Sequence, residues 1–271
     1  MKGEGTSYGA VSVMNAIPCG IGATIGIGLK TIATFTDADT QIVELIDRPD
    51  TDQTLVRTCV KHTREIIGRP DDGYRLEVRT EIPPSMGLKS SSSVCNAVIS
   101  AVLDAYGERM DTLDIIKLGV ECAKECKVTI TGAFDDACGC GLGGLVVTDN
   151  SKNELLLRKE IPEYDVIICI PDRQIPKNKV PVERYRELRG RYEGMVPRIE
   201  NDYLGILNEN GRCVEGIIGE GTGLVERALK EGALAAGITG TGPATAVVAK
   251  KGDGQRVADA LGCKTMITTT R

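Results

Sequence analysis

Apolar positions along the chain change their period repeatedly, and each change marks an element. Residues 1–35 alternate small and β-prone residues with glycine, SYGAVSVMNAI and then GIGATIGIGLKTIATF, and predict two strands about a turn near Pro18–Gly20. QIVELID (41–47) predicts a further strand. Between 51 and 67 the apolar positions Leu55, Val56, Cys59, Val60, Ile66 and Ile67 recur at helical spacing, closed by Gly68 and Pro70. YRLEVRTEI (74–82) alternates at period two, as a strand does. Val94, Ala97, Val98, Ala101, Val102 and Ala105 then share one helix face directly after Pro83–Ser93, so that segment reads as a loop opening onto a helix N-terminus. A second helix is predicted over 112–126, and LGGLVVTD (142–149) predicts a strand.

The pattern shifts near residue 150. Asn150–Asn153 is a polar turn, ELLLRKEI opens a new segment, and DVIICIPD (165–172) reads as a buried strand. Residues 173–191 are dense in Arg and Lys and broken by Pro176 and Pro181. Beyond them come a helix over about 214–232, a Gly-rich turn (237–243), a strand (TAVVAK), a helix (254–261) and a last strand (KTMITTT). The expected division is therefore into residues 1–155 and 156–271, without tandem repeats or a low-complexity tail.

Aromatic residues make up 3% of the 271 positions and Trp is absent, so the core has to be built from Ile, Val, Leu and Ala, which suits a layered α/β or α+β fold. The net charge of −5 lacks the basic surplus of a protein that displaces counterions from nucleic acid. No apolar run is long enough to span a bilayer, and no signal segment opens the chain, which sets the expectation of a cytoplasmic protein. Ten cysteines are scattered through it. Their spacing lacks the paired C-x-x-C pattern of a zinc site, and several lie in apolar runs, where a reduced thiol packs as a small hydrophobe.

Chemistry concentrates in Pro83-Pro84-Ser85-Met86-Gly87-Leu88-Lys89-Ser90-Ser91-Ser92-Ser93. A glycine lets backbone approach a ligand closely. A helix N-terminus offers unpaired N–H groups and partial positive charge, which together hold an anion. One serine suffices to cap a helix; four in succession add hydroxyl donors and oxygen ligands for a hard cation. Neither G-x-x-x-x-G-K-[ST] nor a Rossmann fingerprint is present. The lone His62, on a predicted helix face, has no evident nucleophile partner.

This loop resembles the P-x-x-x-G-L-G-S-S-A segment of the GHMP kinase superfamily, with Lys89 at the third glycine-like position and Ser92-Ser93 in place of the alanine pair. The P-P-S-x-G-L-K-S-S-S version is similar to that of the archaeal shikimate kinases within the superfamily. SYGAVSVMNAIPCGIGATIGIGLK resembles the family's first motif, TGAFDDA its S-G-x-D-N/Q stretch, and GITGTGPATAVV its third motif. The three occur in family order and cover nearly the whole chain.

The resemblance implies an α+β fold in two parts, a ribosomal-protein-like N-terminal domain and a ferredoxin-like C-terminal domain, with ATP between them on Pro83–Ser93. It places Asp135 at the catalytic position, with Asp136 beside it. A carboxylate there removes or orients the hydroxyl proton of an alcohol. Gly240, Thr241 and Gly242 fall in the turn that supports the nucleotide. Mg²⁺ would be held by serine hydroxyls, Ser91 among them, and by a glutamate on the helix before the Asp motif, where Glu125 fits and Glu121 lies one turn earlier. The implied reaction transfers a phosphoryl group from ATP to the 3-hydroxyl of shikimate. Homoserine, pantoate and mevalonate remain alternatives, as does a non-catalytic nucleotide- or RNA-binding protein. The basic stretch Arg173, Lys177, Lys179, Arg184, Arg186, Arg189 and Arg191 is either a solvated face or a partner for a substrate carboxylate.

Overall fold

A computed structural model describes residues 1–70, 72–129, 132–172, 180–218 and 223–271. Two long strands, β1 (Lys2–Met14) and β2 (Ile21–Asp37), pair antiparallel around the Ala16–Gly20 turn. β2 is the hub of a sheet because its length gives it several neighbours. Its N-terminal part pairs with β5 (Leu145–Asp149), and its C-terminal part pairs with β4 (Tyr74–Thr80). β3 (Gln41–Leu45) lies parallel to β4, and β6 (Glu154–Lys159) extends the sheet beyond β5. Among the described residues this makes six strands, with β1 against β2. The expected divide between 155 and 156 falls within β6.

Helix α2 (Ser90–Tyr106) lies directly on β1 and β2, and helices α1 (Thr54–Ile66) and α3 (Thr112–Glu125) pack against α2. A Cβ on Gly5 of β1 would overlap the α2 backbone at Ala97, so glycine sets how closely strand and helix approach. Phe35, Leu76, Val98 and Val102 are fully buried between them. Helix α4 (Phe134–Leu142) follows, in a glycine-containing stretch to which the sequence reading assigns no element.

The second sheet is antiparallel, in the order β10 (Thr265–Thr269), β7 (Tyr164–Cys169), β9 (Thr245–Lys250), β8 (Ala235–Ile238). The helices of this half are α5 (Val182–Arg186), α6 (Arg189–Met195), α7 (Ile199–Ile218), α8 (Leu224–Lys230) and α9 (Gly254–Leu261). The single helix expected over 214–232 is thus the end of α7 and the whole of α8. Asn208, Asn210, Gly205 and Gly211 weaken the helical signal of α7, but packing against β8 and β1 overrides propensity. One apolar cluster, including Val11, Ile25, Leu88, Ile168, Tyr192 and Ile206, draws on both sheets and on the second helical set. Among the described residues no helix is long and apolar enough to cross a membrane.

Candidate active site

Between β4 and α2 the chain makes three left-handed turns of backbone, at Ser85 (φ 56°), Gly87 (φ 76°) and Lys89 (φ 67°). A Cβ on Gly87 would overlap the Thr239 carbonyl oxygen. Thr239 Oγ1 in turn donates to the Gly87 carbonyl at 3.0 Å. The loop is thereby pinned against the glycine-rich turn of the C-terminal half. Lys89, the N-cap residue of α2, contributes no side-chain cap. No backbone N–H of Ser90, Ser91 or Ser92 is hydrogen-bonded among the described residues. The N-terminus of a 17-residue helix therefore opens, with its hydroxyls and free amides, into a cavity of about 130 Å³.

Pro83, Ser85, Met86, Gly87, Leu88, Lys89, Ser90, Ser91 and Ser92 line that cavity, as do Gly240, Thr241, Asp135 and Asp136. Pro84, Ser93 and Gly242 are not among its walls. Ser93 is buried, its hydroxyl donating to Thr31 Oγ1 at 2.9 Å. Glu125 is not brought to the cavity. At the end of α3 its carboxylate is 56% exposed and bonded to His62 Nε2 at 2.8 Å. Glu121 is likewise exposed and paired with Lys124.

The two aspartates stand in the first turn of α4. Asp135 is 4% exposed. Asn150, just past β5, accepts from the Asp135 N–H through Oδ1 at 3.0 Å and donates to Asp135 Oδ1 through Nδ2 at 2.7 Å. Thr148 Oγ1 donates to the same Asn150 Oδ1 at 2.8 Å, and Thr24 Oγ1 donates to the Asp135 main-chain carbonyl at 3.0 Å. The other carboxylate oxygen packs where Gly22 has no side chain. Burial first, and the Asp136 charge second, push the Asp135 carboxyl up to about 6, against the pull of Lys89 and Asn150. Asp136 forms an ion pair with Lys89 at 2.7 Å. Burial pulls the Lys89 ammonium down, but the Asp136 and Asp135 carboxylates outweigh it, so its net shift is upward and it remains charged.

A buried polar network joins these parts through Ser12, Asn15 and Asn210, which the sequence did not single out as site residues. Ser12 accepts through Oγ from Lys89 Nζ at 2.8 Å and from the Gly240 N–H at 3.0 Å, while its own N–H donates to Thr239 Oγ1 at 2.9 Å. Asn15 Nδ2 donates to the Gly240 carbonyl at 3.1 Å, and Asn210 Oδ1 accepts from the Asn15 N–H and from Tyr192 OH. A weaker signal was present: Ser12 and Asn15 are the polar positions in the otherwise apolar run Ala10–Ala16.

Of the basic stretch, Arg173, Lys177 and Lys179 lie outside the described residues. Arg184 donates to the Gly216 and Ile217 carbonyls at the end of α7, and Arg186, Arg189 and Arg191 pair with Glu183, Glu193 and Glu209. These four are absent from the cavity wall. A second cavity of about 110 Å³ shares Ser90 and Ser91 with the first and is lined by Leu45, Leu55, Val56, Val78 and Val94. At its edge Arg48 donates to Ser90 Oγ at 3.3 Å and to the Ile82 carbonyl. The open helix N-terminus and a largely apolar cavity thus meet at the start of α2.

Residues 54–144 match the GHMP kinases N terminal domain, and residues 205–268 match the GHMP kinases C terminal. A shikimate kinase from Methanothrix thermoacetophila is 40% identical over 261 residues, covering 96% of this chain and 90% of that protein. The chain belongs to the GHMP kinase family. A shikimate kinase from Pyrococcus abyssi is 35% identical over 254 residues, covering 92% of each. The fold of this GHMP kinase is that of Methanococcus jannaschii mevalonate kinase, with a TM-score of 0.80 over 100% of this chain and 98% of the other at 16% identity. It is also that of Lactococcus lactis galactokinase, at 0.75, 16% identity and coverage of 99% and 93%.

Proposed function

We propose that this GHMP kinase transfers the γ-phosphoryl group of ATP to the 3-hydroxyl of shikimate, giving shikimate 3-phosphate and ADP on the route to chorismate and the aromatic amino acids. The observation that carries the chemistry is the meeting, in one cavity, of an open helix N-terminus bearing Ser90–Ser92 with the Asp135–Asp136 pair. The choice of alcohol rests on the shikimate kinases that the chain resembles over nearly its full length.

In this reading the amides and hydroxyls at the start of α2 hold the phosphates, and their partial charge stabilises the transferring group. The apolar cavity beside Ser90 and Ser91 takes the base. Asp135 receives the substrate hydroxyl proton. Asn150 fixes its carboxylate, and its burial leaves it basic enough to accept a proton while still ionised near neutrality. Gly240 and Thr241 close the nucleotide side. Asp135 and the α2 N-terminus act chiefly by positioning and charge neutralisation.

The lining suits Mg²⁺, a hard cation that takes oxygen ligands and keeps phosphate oxygens among them. Ser91 and its serine neighbours would hold it with the triphosphate, and it would neutralise phosphate charge. Glu125 would have to leave His62 and the surface to reach it. The ten free cysteines fit a reducing compartment, the cytoplasm.

A coupled ADP-release assay with ATP and Mg²⁺ tests this, offering shikimate, homoserine, pantoate and mevalonate in separate reactions. Turnover with shikimate alone is expected. Turnover with another of the four would discard the substrate and keep the reaction. Silence with all four would sink the kinase reading.

A further inference from the structure

Lys89 is the one residue of the loop whose charged end turns into the protein, and Asp136 is a cavity carboxylate to which no step has been given. They face each other. The ammonium lies 2.7 Å from Asp136 Oδ1 and donates to Ser12 Oγ at 2.8 Å, with the Lys89 side chain 5% and the Asp136 side chain 21% exposed. Among the described residues, every other ion pair has at least one side chain 45% or more exposed. Ser12 also holds the Gly240 N–H, so one ammonium joins α2, α4, β1 and the turn after β8. The Lys89 main chain adds a further tie, since its carbonyl accepts from Ser93 N at 3.0 Å and from Cys140 Sγ at 3.7 Å.

A phosphate hook needs its donors free toward the ligand. Here two of the three ammonium donors are engaged by protein groups. A buried ion pair is also a poor source of stability, because desolvation offsets much of its attraction. Its worth lies in fixing where charges sit. We infer that Lys89 is a positioning residue, holding the Asp136 carboxylate and the start of α4 in register with the α2 N-terminus, and that it does not grip the nucleotide. This rests on the kinase reading of the site.

The test is a double-mutant cycle on Lys89→Met and Asp136→Asn, with kcat measured at saturating ATP and alcohol, and ATP affinity measured separately by calorimetry. Each single variant is expected to lose roughly 100-fold in kcat, the scale of a misplaced reacting group. The double variant should lose no more than the worse single, and ATP affinity should stay within about threefold, below what one charged hydrogen bond is worth. Lys89→Arg, which keeps the charge, should recover part of the loss. If ATP binding weakens tenfold or more while kcat holds, Lys89 is a hook and the inference fails. It fails equally if the two losses multiply, or if kcat is unchanged while the melting temperature drops. Should Lys89→Met not fold, Lys89→Arg takes its place in the same cycle. Wild-type turnover is established first. If shikimate is not the alcohol, only the proposed substrate is lost, and the cycle runs on the alcohol that is accepted.

Discussion

Two helices point their N-termini into the same cavity, and they begin in the same way. Lys89 and Ala133, the residues before α2 and α4, both take left-handed backbone, with φ of 67° and 53°. Their first turns are unlike. α2 presents serines and unbonded amides, whereas α4 carries Asp135 and Asp136 in its first turn and has the Asp135 amide satisfied by Asn150. The positive end of α4 is met by its own carboxylates, and that of α2 is left for an anion from outside. In the proposed function, one fold element thus serves binding or catalysis according to what its first turn carries.

The largest expected effect is at α4. Asp135→Asn should lower kcat by roughly 10³-fold, within the usual range for a general base. It should also stabilise the protein near neutral pH. Burial makes the Asp135 charge unfavourable, and a carboxyl held up at about 6 carries an ionisation penalty on the order of 3 kcal/mol. Thermal melts of both proteins across pH check this. The raised value means that the native state binds the proton more tightly than the unfolded chain. The stability contribution is therefore full below about pH 4 and lost as pH rises through about 6, so the variant's advantage should grow over that window. A fall in melting temperature at pH 7 would contradict the assigned burial cost. The same ionisation governs rate: kcat/KM should fall on the acid side with an apparent pKa near 6, and a profile flat down to pH 5 would remove Asp135 as the base.

At α2 the expected losses are smaller and lie in nucleotide affinity. Gly87→Ala adds a Cβ that overlaps the Thr239 carbonyl, at a backbone angle that side chains disfavour. It should destabilise the fold by about 1–3 kcal/mol and raise the KM for ATP more than it lowers kcat. Ser91→Ala removes one hydroxyl and leaves the helix amides in place, so a change of roughly 5-fold in ATP affinity is expected, on the scale of one hydrogen bond. A loss of 10³-fold in kcat from Ser91→Ala would erase the division of labour between the two helices.

The two helices were also unequally legible in the sequence. α2 is announced by a Pro-Gly-Ser loop and a clean apolar face. α4 hides because the glycines of GAFDDACGCGLGG interrupt any apolar helical period. Its glycines serve packing: a Cβ on Gly139 would overlap Thr24, and one on Gly141 would come within 2.8 Å of Ile116 Cδ1. Helical order there comes from neighbours, and those neighbours are distant in sequence. The same holds for the aspartates. Adjacent residues on a helix point about 100° apart, so Asp135 turns to Asn150 and Asp136 to Lys89, a separation that no linear spacing encodes. β6 looked like the start of a second domain because a polar turn precedes it, yet that turn is a hairpin back onto β5. The Ser12–Thr239–Gly240 contacts span more than 220 residues of chain, beyond any local pattern.

Glu125 gives the smallest effect and the sharpest contrast with the α4 pair. It closes α3, at the end where the helix dipole opposes a carboxylate, and its side chain is more than half exposed. Its hydrogen bond to His62 Nε2, 2.8 Å long, turns it toward α1 and away from the cavity. Exposed pairs of this kind contribute at most about 1 kcal/mol. Glu125→Gln should therefore leave kcat, the KM for ATP and the Mg²⁺ dependence of rate within about twofold of wild type, with a melting temperature lower by a degree or two. Titrating Mg²⁺ at fixed ATP decides the matter. A tenfold rise in the Mg²⁺ needed for half-maximal rate would mean that α3 moves Glu125 into the cavity when nucleotide binds, where it helps to hold the cation.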